Sequence, residues 1–456
     1  MNITVRPSTL SGRIEAPGSK SHMQRLLVAA LLCPGRSTIH RPAENDDCLA
    51  LLSAVAALGA DIEIGQDPVT GHERLEITGG LAPRTDLLDV GESGLGARIL
   101  APVAALAAEP DRTMTIAGHG TLLARPMDAW GAILPALGAQ VQSNSGQLPL
   151  QIQGPLLGGS LRYDGSLSSQ FTTGLLMALP CAPNDSVLEV ENLSSRPYIE
   201  MTLHVMAEAG IEVTWERGDK EDKEDSPHDL SPHPTLDRFH IQGGQTYLPT
   251  ETTVAGDWSA GATWLILASL AGDETMVVDR LAHTPEQADR SVQGALLFSG
   301  VKLMRGETGI QVDARKKKGF KFDARHCPDL IPVLSAYATF CKGPSYILGR
   351  ERLRHKESDR ALAIVEEFAK AGIRVDIDSQ ADALIIHPNK GKTPSVQPAT
   401  LDARGDHRMV MAAAILGTQG APITIVGAET VAKSYPRFFE DLEAAGGLIL
   451  RPKPSR

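Results

Sequence analysis

One phrase recurs six times along the chain: an amphipathic helical segment, a glycine, and then a segment of alternating apolar and polar residues. A glycine just past the last helical turn can adopt the left-handed conformation that ends a helix without steric cost. The alternating residues that follow are typical of a strand with one buried face. Neighbouring glycines lie 72 to 90 residues apart, at Gly59, Gly138, Gly210, Gly300, Gly372 and Gly446. The spacing predicts six repeated α/β units.

The length of the chain agrees with this repeat. Six units of about 76 residues would fill the 456 residues, which are too many for a single small core. The widest gap between glycines contains a polar, proline-rich segment between Trp215 and Phe239. We interpret this segment as an exposed insertion near the boundary between two halves of three units each.

Charge and cysteine usage exclude several classes of protein. The formal net charge of −11 argues against a nucleic-acid partner or an anionic membrane surface. No apolar run approaches the ~18 residues of a membrane span, and the first residues lack the pattern of a secretory signal. The five cysteines form no CxxC pair, so neither a disulfide scaffold nor a zinc site is supported. We expect a cytoplasmic protein.

Cations and hydroxyls stand at the start of several predicted helices. The segment APGSKSHMQRLL places Lys20 and Ser21 at a helix N-terminus, where free N–H groups attract anions, with Arg25 on the same face. No glycine directly precedes the lysine, so this is not a Walker A loop. A serine-capped helix with solvent-facing cations is the alternative interpretation.

Two further segments bring polar donors to a helix start. DGSLSSQF contributes Ser168, Ser169 and Gln170, and SSRPYIEM contributes Ser195 and Tyr198. Such donors suit a phosphate group or a polyhydroxylated ring, although ordinary N-caps would use the same residue types.

The second half of the chain continues this pattern. The segments RHKESDR, GDHRM and AKSYPRFF place Lys356, Glu357, Arg360, Arg408 and Lys433 at helix entrances. If all these entrances faced one cleft, that cleft would be cationic despite the negative net charge. It would then bind small substrates that carry several phosphate and carboxylate groups.

The ordered set of motifs resembles the EPSP synthase family, the 3-phosphoshikimate 1-carboxyvinyltransferases. The resemblance runs over almost the whole chain and includes PGSKS, the glycine turn with Arg98, Arg125-Pro126, DGSLSSQF, SRPYI, Pro328-Asp329, KESDR, DHRM and AKSYPRFF. It implies an α/β fold, a two-domain inside-out α/β barrel with three βαβαββ repeats per domain. We expect one domain from residues 1–19 and 243–456, and a shikimate-phosphate-binding domain from 20–242 with the insertion at about 217–235.

The resemblance also implies a reaction. Phosphoenolpyruvate transfers its enolpyruvyl group to the 5-hydroxyl of shikimate 3-phosphate and inorganic phosphate is released, in a monomer without a metal or organic cofactor. Among the implied catalytic residues, Asp329 accepts the hydroxyl proton, Glu357 exchanges a proton with the methylene carbon and Lys20 touches both substrates. The residues implied for shikimate 3-phosphate are Lys20, Ser21, Arg25, Ser168, Ser169, Gln170, Ser195, Tyr198, Asp329 and Lys356. Those implied for phosphoenolpyruvate are Lys20, Gly94, Arg125, Gln170, Arg360, Arg408 and Lys433.

Two departures from the family pattern and two alternatives remain. Glu92 stands where many members of the family carry asparagine, and Arg352 stands where some of them do, which concerns substrate affinity rather than the reaction class. The first alternative is the related enolpyruvyl transferase that acts on UDP-N-acetylglucosamine, which usually carries a catalytic cysteine five residues before the arginine that Arg125 matches. That position is Gly120 here. The second is a non-catalytic sensor of a phosphorylated metabolite, for which the acid–base residues would be superfluous.

Overall fold

The computed structural model describes residues 1–108, 111–218, 235–273, 275–281, 287–313, 317–354, 356–388 and 396–451. The α-helices in these ranges are α1 (Lys20–Leu32), α2 (Asp46–Ala57), α3 (Gly94–Ala107), α4 (Trp130–Ala136), α5 (Ser169–Ala178), α6 (Arg196–Glu208), α7 (Trp258–Ala271), α8 (Val292–Ser299), α9 (Ile331–Ala338), α10 (Arg360–Lys370), α11 (His407–Gln419) and α12 (Phe438–Ala444).

The strands in the same ranges are β1 (Asn2–Arg6), β2 (Arg13–Glu15), β3 (Arg36–His40), β4 (Asp61–Gln66), β5 (Glu73–Thr78), β6 (Leu87–Asp89), β7 (Thr113–Ala117), β8 (Gln140–Asn144), β9 (Gln147–Gln153), β10 (Ser160–Asp164), β11 (Ser186–Glu191), β12 (Val213–Glu216), β13 (Leu236–Ile241), β14 (Glu251–Thr253), β15 (Val277–Asp279), β16 (Lys302–Arg305), β17 (Gly309–Asp313), β18 (Lys321–Asp323), β19 (Ser345–Leu348), β20 (Val375–Asp378), β21 (Ala383–Ile386), β22 (Ala399–Asp402), β23 (Ile423–Val426) and β24 (Leu448–Leu450).

The chain divides into two compact units. The first unit consists of Met1–Lys20, Ala43–Asp46 and Ala255–Arg456, and the second of Ser21–Pro42 and Asp47–Val254. The second unit therefore extends beyond the boundary at residue 243 expected from the sequence, because β14 pairs in parallel with β3 of the same unit. Most of the expected insertion, residues 219–234, lies outside the described residues.

Each unit contains three four-stranded sheets with one shared topology. In the repeat β6-α3-β7-α4-β8-β9, β6 and β7 are parallel, and β9 pairs antiparallel with both β7 and β8. The spatial order β6-β7-β9-β8 recurs in the other five sheets, which confirms six βαβαββ repeats, three to each unit. Three sheets are completed by a strand distant in sequence, namely β1, β2 and β14.

The six repeat glycines all adopt the left-handed conformation predicted for them. Their φ angles lie between 75° and 122°, and each follows the second helix of its repeat and precedes an edge strand. The six glycines thus mark equivalent positions of the six repeats.

The first helix of every repeat is buried on all sides. In α3, for example, 12 of 14 residues are buried, whereas in the second-position helix α10 only 6 of 11 are. A helix that is apolar all round must be surrounded by protein. In the second unit α3 packs on α5, and in the first unit α7, α9 and α11 pack on one another. The first helices of the repeats therefore lie in the interior of each unit.

The membrane question has a direct answer for the described ranges. None of the helices in them combines the length and the apolar character needed to cross a bilayer.

Candidate functional site

In the second unit, Arg25 contacts two further predicted site residues, Ser21 and Tyr198. The guanidinium is 2% exposed and donates to Thr202 Oγ1 at 2.8 Å, to the Ser21 carbonyl oxygen at 2.7 Å and to the Tyr198 carbonyl oxygen at 3.1 Å. These acceptors are neutral, so they do not offset the positive charge of the guanidinium. Burial lowers the pKa of Arg25 to about 10, against an opposing effect of Tyr198, so the group is still charged at neutral pH. A buried cation of this kind attracts an anion.

Hydroxyl and amide groups surround the start of α5. The Ser168 hydroxyl oxygen caps the helix by accepting from the Gln170 backbone N–H at 3.2 Å. The Gln170 side-chain oxygen accepts from Arg98 at 2.6 Å, which directs the amide NH₂ away from Arg98 as a donor. Ser169 is the first residue of the helix and is buried. The start of α5 therefore presents several donors to a ligand.

Ser195 adopts an uncommon backbone conformation at the start of α6. Its φ of 51° and ψ of 47° are left-handed, and its carbonyl oxygen accepts from the Tyr198 N–H at 3.0 Å. A non-glycine residue in this region stores strain, and such residues cluster at ligand sites.

Gly94 and Arg125 form a close pair in the second unit. A Cβ atom on Gly94 would overlap the Arg125 guanidinium, so this approach requires glycine. The unusual Glu92 carboxylate accepts from the Thr121 backbone N–H at 2.6 Å and from the Thr121 hydroxyl at 2.8 Å. Glu92 therefore braces the short 3-10 helix Gly120–Ala124 that leads directly to Arg125.

In the first unit, three carboxylates surround the buried guanidinium of Arg360. Its Nε donates to Asp406 at 2.6 Å, its Nη1 to Asp329 at 2.5 Å and its Nη2 to Glu357 at 2.7 Å. Burial opposes the charge, but Asp406, Glu357 and Asp329 together raise the pKa of Arg360 well above its usual range. With a further bond from Nη2 to Asp406, four of the five N–H groups are engaged. Arg360 thus fixes the orientation of both predicted acid–base carboxylates.

Asp329 is held in its ionised form. Burial favours the neutral carboxyl, but the charges of Lys356, Arg360 and Arg408 outweigh it and hold the pKa of Asp329 well below its usual range. The Lys356 Nζ lies 3.1 Å from Asp329 Oδ1. Burial in turn lowers the pKa of Lys356, although Asp329 opposes that effect. Arg352, one of the two departures, also faces the charge of Asp329.

Two further cations, Arg408 and Lys433, lie around the start of α11. Arg408 is 3% exposed, and among the described residues its Nε has no hydrogen-bond partner. Lys433 Nζ donates to the Gly405 carbonyl oxygen at 2.9 Å, in the turn before the helix. Burial, together with the charges of Arg408 and Lys20, lowers the pKa of His407 well below its usual range, so the imidazole is neutral. This start of a helix is therefore rich in positive charge.

The predicted residues thus form two groups, one within each unit. The second-unit cluster contains Ser21, Arg25, Gly94, Arg125, Ser168, Ser169, Gln170, Ser195 and Tyr198, and the first-unit cluster contains Lys20, Asp329, Lys356, Glu357, Arg360, Arg408 and Lys433. Sequence reasoning did not assign a role to Asp406, which pairs with Arg360 and caps α11 through the Arg408 N–H at 2.9 Å. An acid directly before an apolar helix was the available signal. In the described part of the chain, no cluster of three or more His, Cys, Asp or Glu side chains is suited to hold a metal ion.

Comparison with known proteins identifies the family of the chain. A profile of the family "EPSP synthase (3-phosphoshikimate 1-carboxyvinyltransferase)" matches residues 5–442. The 3-phosphoshikimate 1-carboxyvinyltransferase of Clostridium kluyveri is 34% identical over 451 residues, 98% of each chain. The solved EPSP synthase of Acinetobacter baumannii has a TM-score of 0.74 at 25% identity and covers 99% of this chain and 100% of its own.

A more distant structure separates fold from family. The enolpyruvyl transferase NikO of Streptomyces tendae has a TM-score of 0.73 at 16% identity, with 98% of each chain covered. At that identity the likeness concerns the fold alone, which more than one kind of enolpyruvyl transferase therefore shares. The full-length sequence matches are what decide the family. On these findings, the chain belongs to the EPSP synthase family.

Proposed function

We propose that the protein transfers the enolpyruvyl group of phosphoenolpyruvate to the 5-hydroxyl of shikimate 3-phosphate and releases inorganic phosphate. Membership of the EPSP synthase family supports this activity. The observation that carries the mechanism is the first-unit cluster, in which Asp329 stays ionised between Lys356 and Arg360, with Glu357 on the same arginine. Such a cluster combines a proton acceptor, a second carboxyl group and cations for anionic substrates.

Shikimate 3-phosphate carries a phosphate and a ring with hydroxyl groups, and the second-unit cluster has donors for both. The buried charge of Arg25 suits the phosphate, and the donors at the starts of α5 and α6 suit the ring. The residues proposed to bind this substrate are Lys20, Ser21, Arg25, Ser168, Ser169, Gln170, Ser195, Tyr198, Asp329 and Lys356.

Phosphoenolpyruvate carries a carboxylate and a phosphate, for which arginine forks are suited. The buried Nε atom of Arg408 has no hydrogen-bond partner among the described residues, so an anion would complete its environment. Arg360 is already engaged with carboxylates and therefore acts mainly by holding Asp329 and Glu357 in place. The proposed contacts for this substrate are Lys20, Gly94, Arg125, Gln170, Arg360, Arg408 and Lys433.

The reaction then proceeds by addition and elimination. The substrate 5-oxygen forms a bond to C2 of phosphoenolpyruvate while its proton passes to Asp329, and Glu357 protonates the methylene carbon to a methyl group. The resulting tetrahedral intermediate loses a methyl proton to Glu357, which thereby regains the proton it gave to the methylene carbon. The C2–O bond to phosphate breaks, and phosphate leaves with the proton that Asp329 accepted from the 5-hydroxyl. The ionised state of Asp329 makes it available as acceptor at neutral pH. Because its pKa is low, proton transfer must follow closely on bond formation to the 5-oxygen.

The UDP-N-acetylglucosamine alternative is disfavoured at Gly120. This residue has a φ of 58°, and a Cβ atom there would overlap the Glu92 carboxylate. The position where that family usually carries its cysteine therefore has room for glycine only, as long as Glu92 braces the segment before Arg125.

The test is phosphate release from phosphoenolpyruvate with and without an acceptor. We expect release only when shikimate 3-phosphate is also present. Release with UDP-N-acetylglucosamine in its place would contradict the proposal, and tight binding of both substrates without any release would favour the sensor. We also propose a cytoplasmic monomer that needs no cofactor. Light scattering should then give a mass near 48.6 kDa, and activity should survive a chelator.

A further inference from the structure

A carboxyl group without any role in the proposed mechanism lies beside the first-unit cluster. Asp289 is 1% exposed and belongs to the 3-10 turn Ala288–Ser291 that precedes α8. Its Oδ2 accepts a hydrogen bond from the hydroxyl of Ser259, in the first turn of α7. Its Oδ1 is buried and has no hydrogen-bond partner among the described residues. A buried carboxyl so weakly satisfied costs stability, so its retention calls for a functional reason.

The segment that carries Asp289 is fixed to the start of α7. The Gln287 side chain accepts from the Trp258 N–H at 2.9 Å and donates to the Gly256 carbonyl oxygen at 2.8 Å. Asp257 caps the same helix through the Ala260 N–H at 2.9 Å. These hydrogen bonds therefore hold the segment that carries Asp289 in a fixed position at the start of α7.

Charged groups from several elements face Asp289. Asp329, before α9, and Asp257, before α7, disfavour its ionisation, whereas Arg408 of α11 favours it. The Cys327 thiol is also close, but burial raises its pKa, so it stays neutral. Burial is the largest influence on Asp289 and, with the two acids, raises its pKa to about 7. Asp289 thus changes charge near neutrality, while Asp329 remains ionised throughout.

Building on the proposed function, we propose that Asp289 is a positioning residue whose negative charge strengthens Asp329 as a proton acceptor and weakens the hold of Arg408 on phosphoenolpyruvate. Lys356, Arg360 and Arg408 make Asp329 a weak base, and a nearby negative charge offsets part of their effect. The same charge competes with an anionic substrate for Arg408, whose Nε has no hydrogen-bond partner in the described part of the chain. Turnover and substrate release should therefore both increase when Asp289 ionises.

The decisive experiment compares the pH profiles of the full-length protein and of Asp289→Asn. Above about pH 7.5 we expect Asp289→Asn to lower kcat by about three- to tenfold and to lower the KM for phosphoenolpyruvate as well. Below about pH 6 the two proteins should behave alike, because the Asp289 side chain of the wild type is then mostly protonated and, like asparagine, carries no charge. Substrate phosphates also titrate near pH 6, so the difference between the two profiles decides, not the shape of either one.

Two further variants sharpen this comparison. The bond from Ser259 lowers the pKa of Asp289, so Ser259→Ala should move the Asp289-dependent rise in kcat to higher pH. Asp279→Asn is the matched control, because Asp279 in β15 of the same unit also accepts from a hydroxyl, that of Thr308 at 2.9 Å. It should leave the profile unchanged. If both Asp289→Asn and Ser259→Ala kept the wild-type pH profile and KM, the inference would be overturned.

A measurement without turnover separates this inference from the proposed function. The folded state binds a proton at Asp289 that the unfolded chain has already lost, so ionisation of Asp289 destabilises the protein as pH rises from about 4 to 7. The Tm of the wild type relative to Asp289→Asn should therefore fall over that range. If the wild type releases no phosphate, the proposed function fails. The role of Asp289 is then tested by calorimetry, which compares the affinity of the wild type and of Asp289→Asn for phosphoenolpyruvate. Tighter binding by Asp289→Asn above pH 7.5 supports its role, and equal binding overturns it.

Discussion

At the scale of single residues, the first-unit cluster shows how neighbours decide what a carboxyl group can do. Asp329 and Asp289 are both largely enclosed, yet the first is held ionised by three cations and the second is raised toward neutrality by burial and two acids. The sequence predicts Asp329 through the family motif, but it has no local pattern that reveals Asp289. The contacts of Asp289 with Ser259 and with the charges of Asp329 and Arg408 arise only from the fold.

Replacing Asp329 tests the proposed proton acceptor. Asp329→Asn removes the charge but keeps the shape, and Arg360 retains Asp406 and Glu357 as partners. We expect kcat to fall by about 10²–10⁴-fold while an analogue of phosphoenolpyruvate binds at least as tightly, because a competing negative charge is lost. Steady-state kinetics and calorimetry measure the two effects. Asp323→Asn, an exposed carboxylate nearby in the sequence, is the control, and turnover retained by Asp329→Asn would remove the residue from the mechanism.

Asp406 contacts both Arg360 and the first turn of α11. Its side chain is fully buried, pairs with Arg360 and caps α11. Asp406→Asn would leave a buried guanidinium with an incomplete set of partners, so we expect the free energy of unfolding to fall by about 3–5 kcal/mol and kcat to fall with it. Urea denaturation provides the measurement. The exposed Asp402, four residues earlier, should tolerate the same change within about 0.5 kcal/mol. Equal stability of the two variants would show that Asp406 is dispensable.

At the scale of elements, the repeat was predictable because its signal is local. A helix, a left-handed glycine and an alternating strand occupy only about a dozen residues, and each part has its own steric or burial pattern. The buried first helices were also recognisable as apolar runs behind the polar motifs. The exchange of β1, β2 and β14 into sheets distant in sequence was not predictable in this way, because strand pairing across hundreds of residues has no local signature. The second unit accordingly runs to Val254 and includes β14.

The repeat glycines provide a test at the same scale. Gly372 ends α10 with a φ of 75°, and a Cβ atom there would lie 3.2 Å from the Gln397 side chain. We expect Gly372→Ala to lower the free energy of unfolding by about 1–2 kcal/mol. Gly294 lies inside α8 with its nearest neighbour, a Phe298 ring atom, 4.0 Å from an added Cβ. Gly294→Ala should instead stabilise the protein by up to about 1 kcal/mol, and loss of stability in both variants would contradict the assigned roles.

At the scale of the whole molecule, charge is segregated. The chain carries a formal net charge of −11, yet its predicted site residues include buried cations in both units. A surplus of negative charge elsewhere does not cancel them, because exposed charges more than about 10 Å away are largely screened by salt whereas buried ones are screened much less. Composition alone therefore argued against nucleic acid as a partner but could not indicate an anion site. The positions of the cations at helix starts supplied that information.

Ligand binding should then increase the stability of the whole folded protein. Shikimate 3-phosphate at about a hundred times its Kd should stabilise the folded state by about 2.7 kcal/mol and raise the Tm. Arg25→Gln removes a buried charge whose described partners are all neutral, so we expect it to cost about 2–5 kcal/mol of binding and to abolish the shift. Arg162→Gln, on the exposed side of the same unit, should keep the shift. A full Tm shift in Arg25→Gln would show that the phosphate binds elsewhere, because no other change in that variant could restore the lost charge.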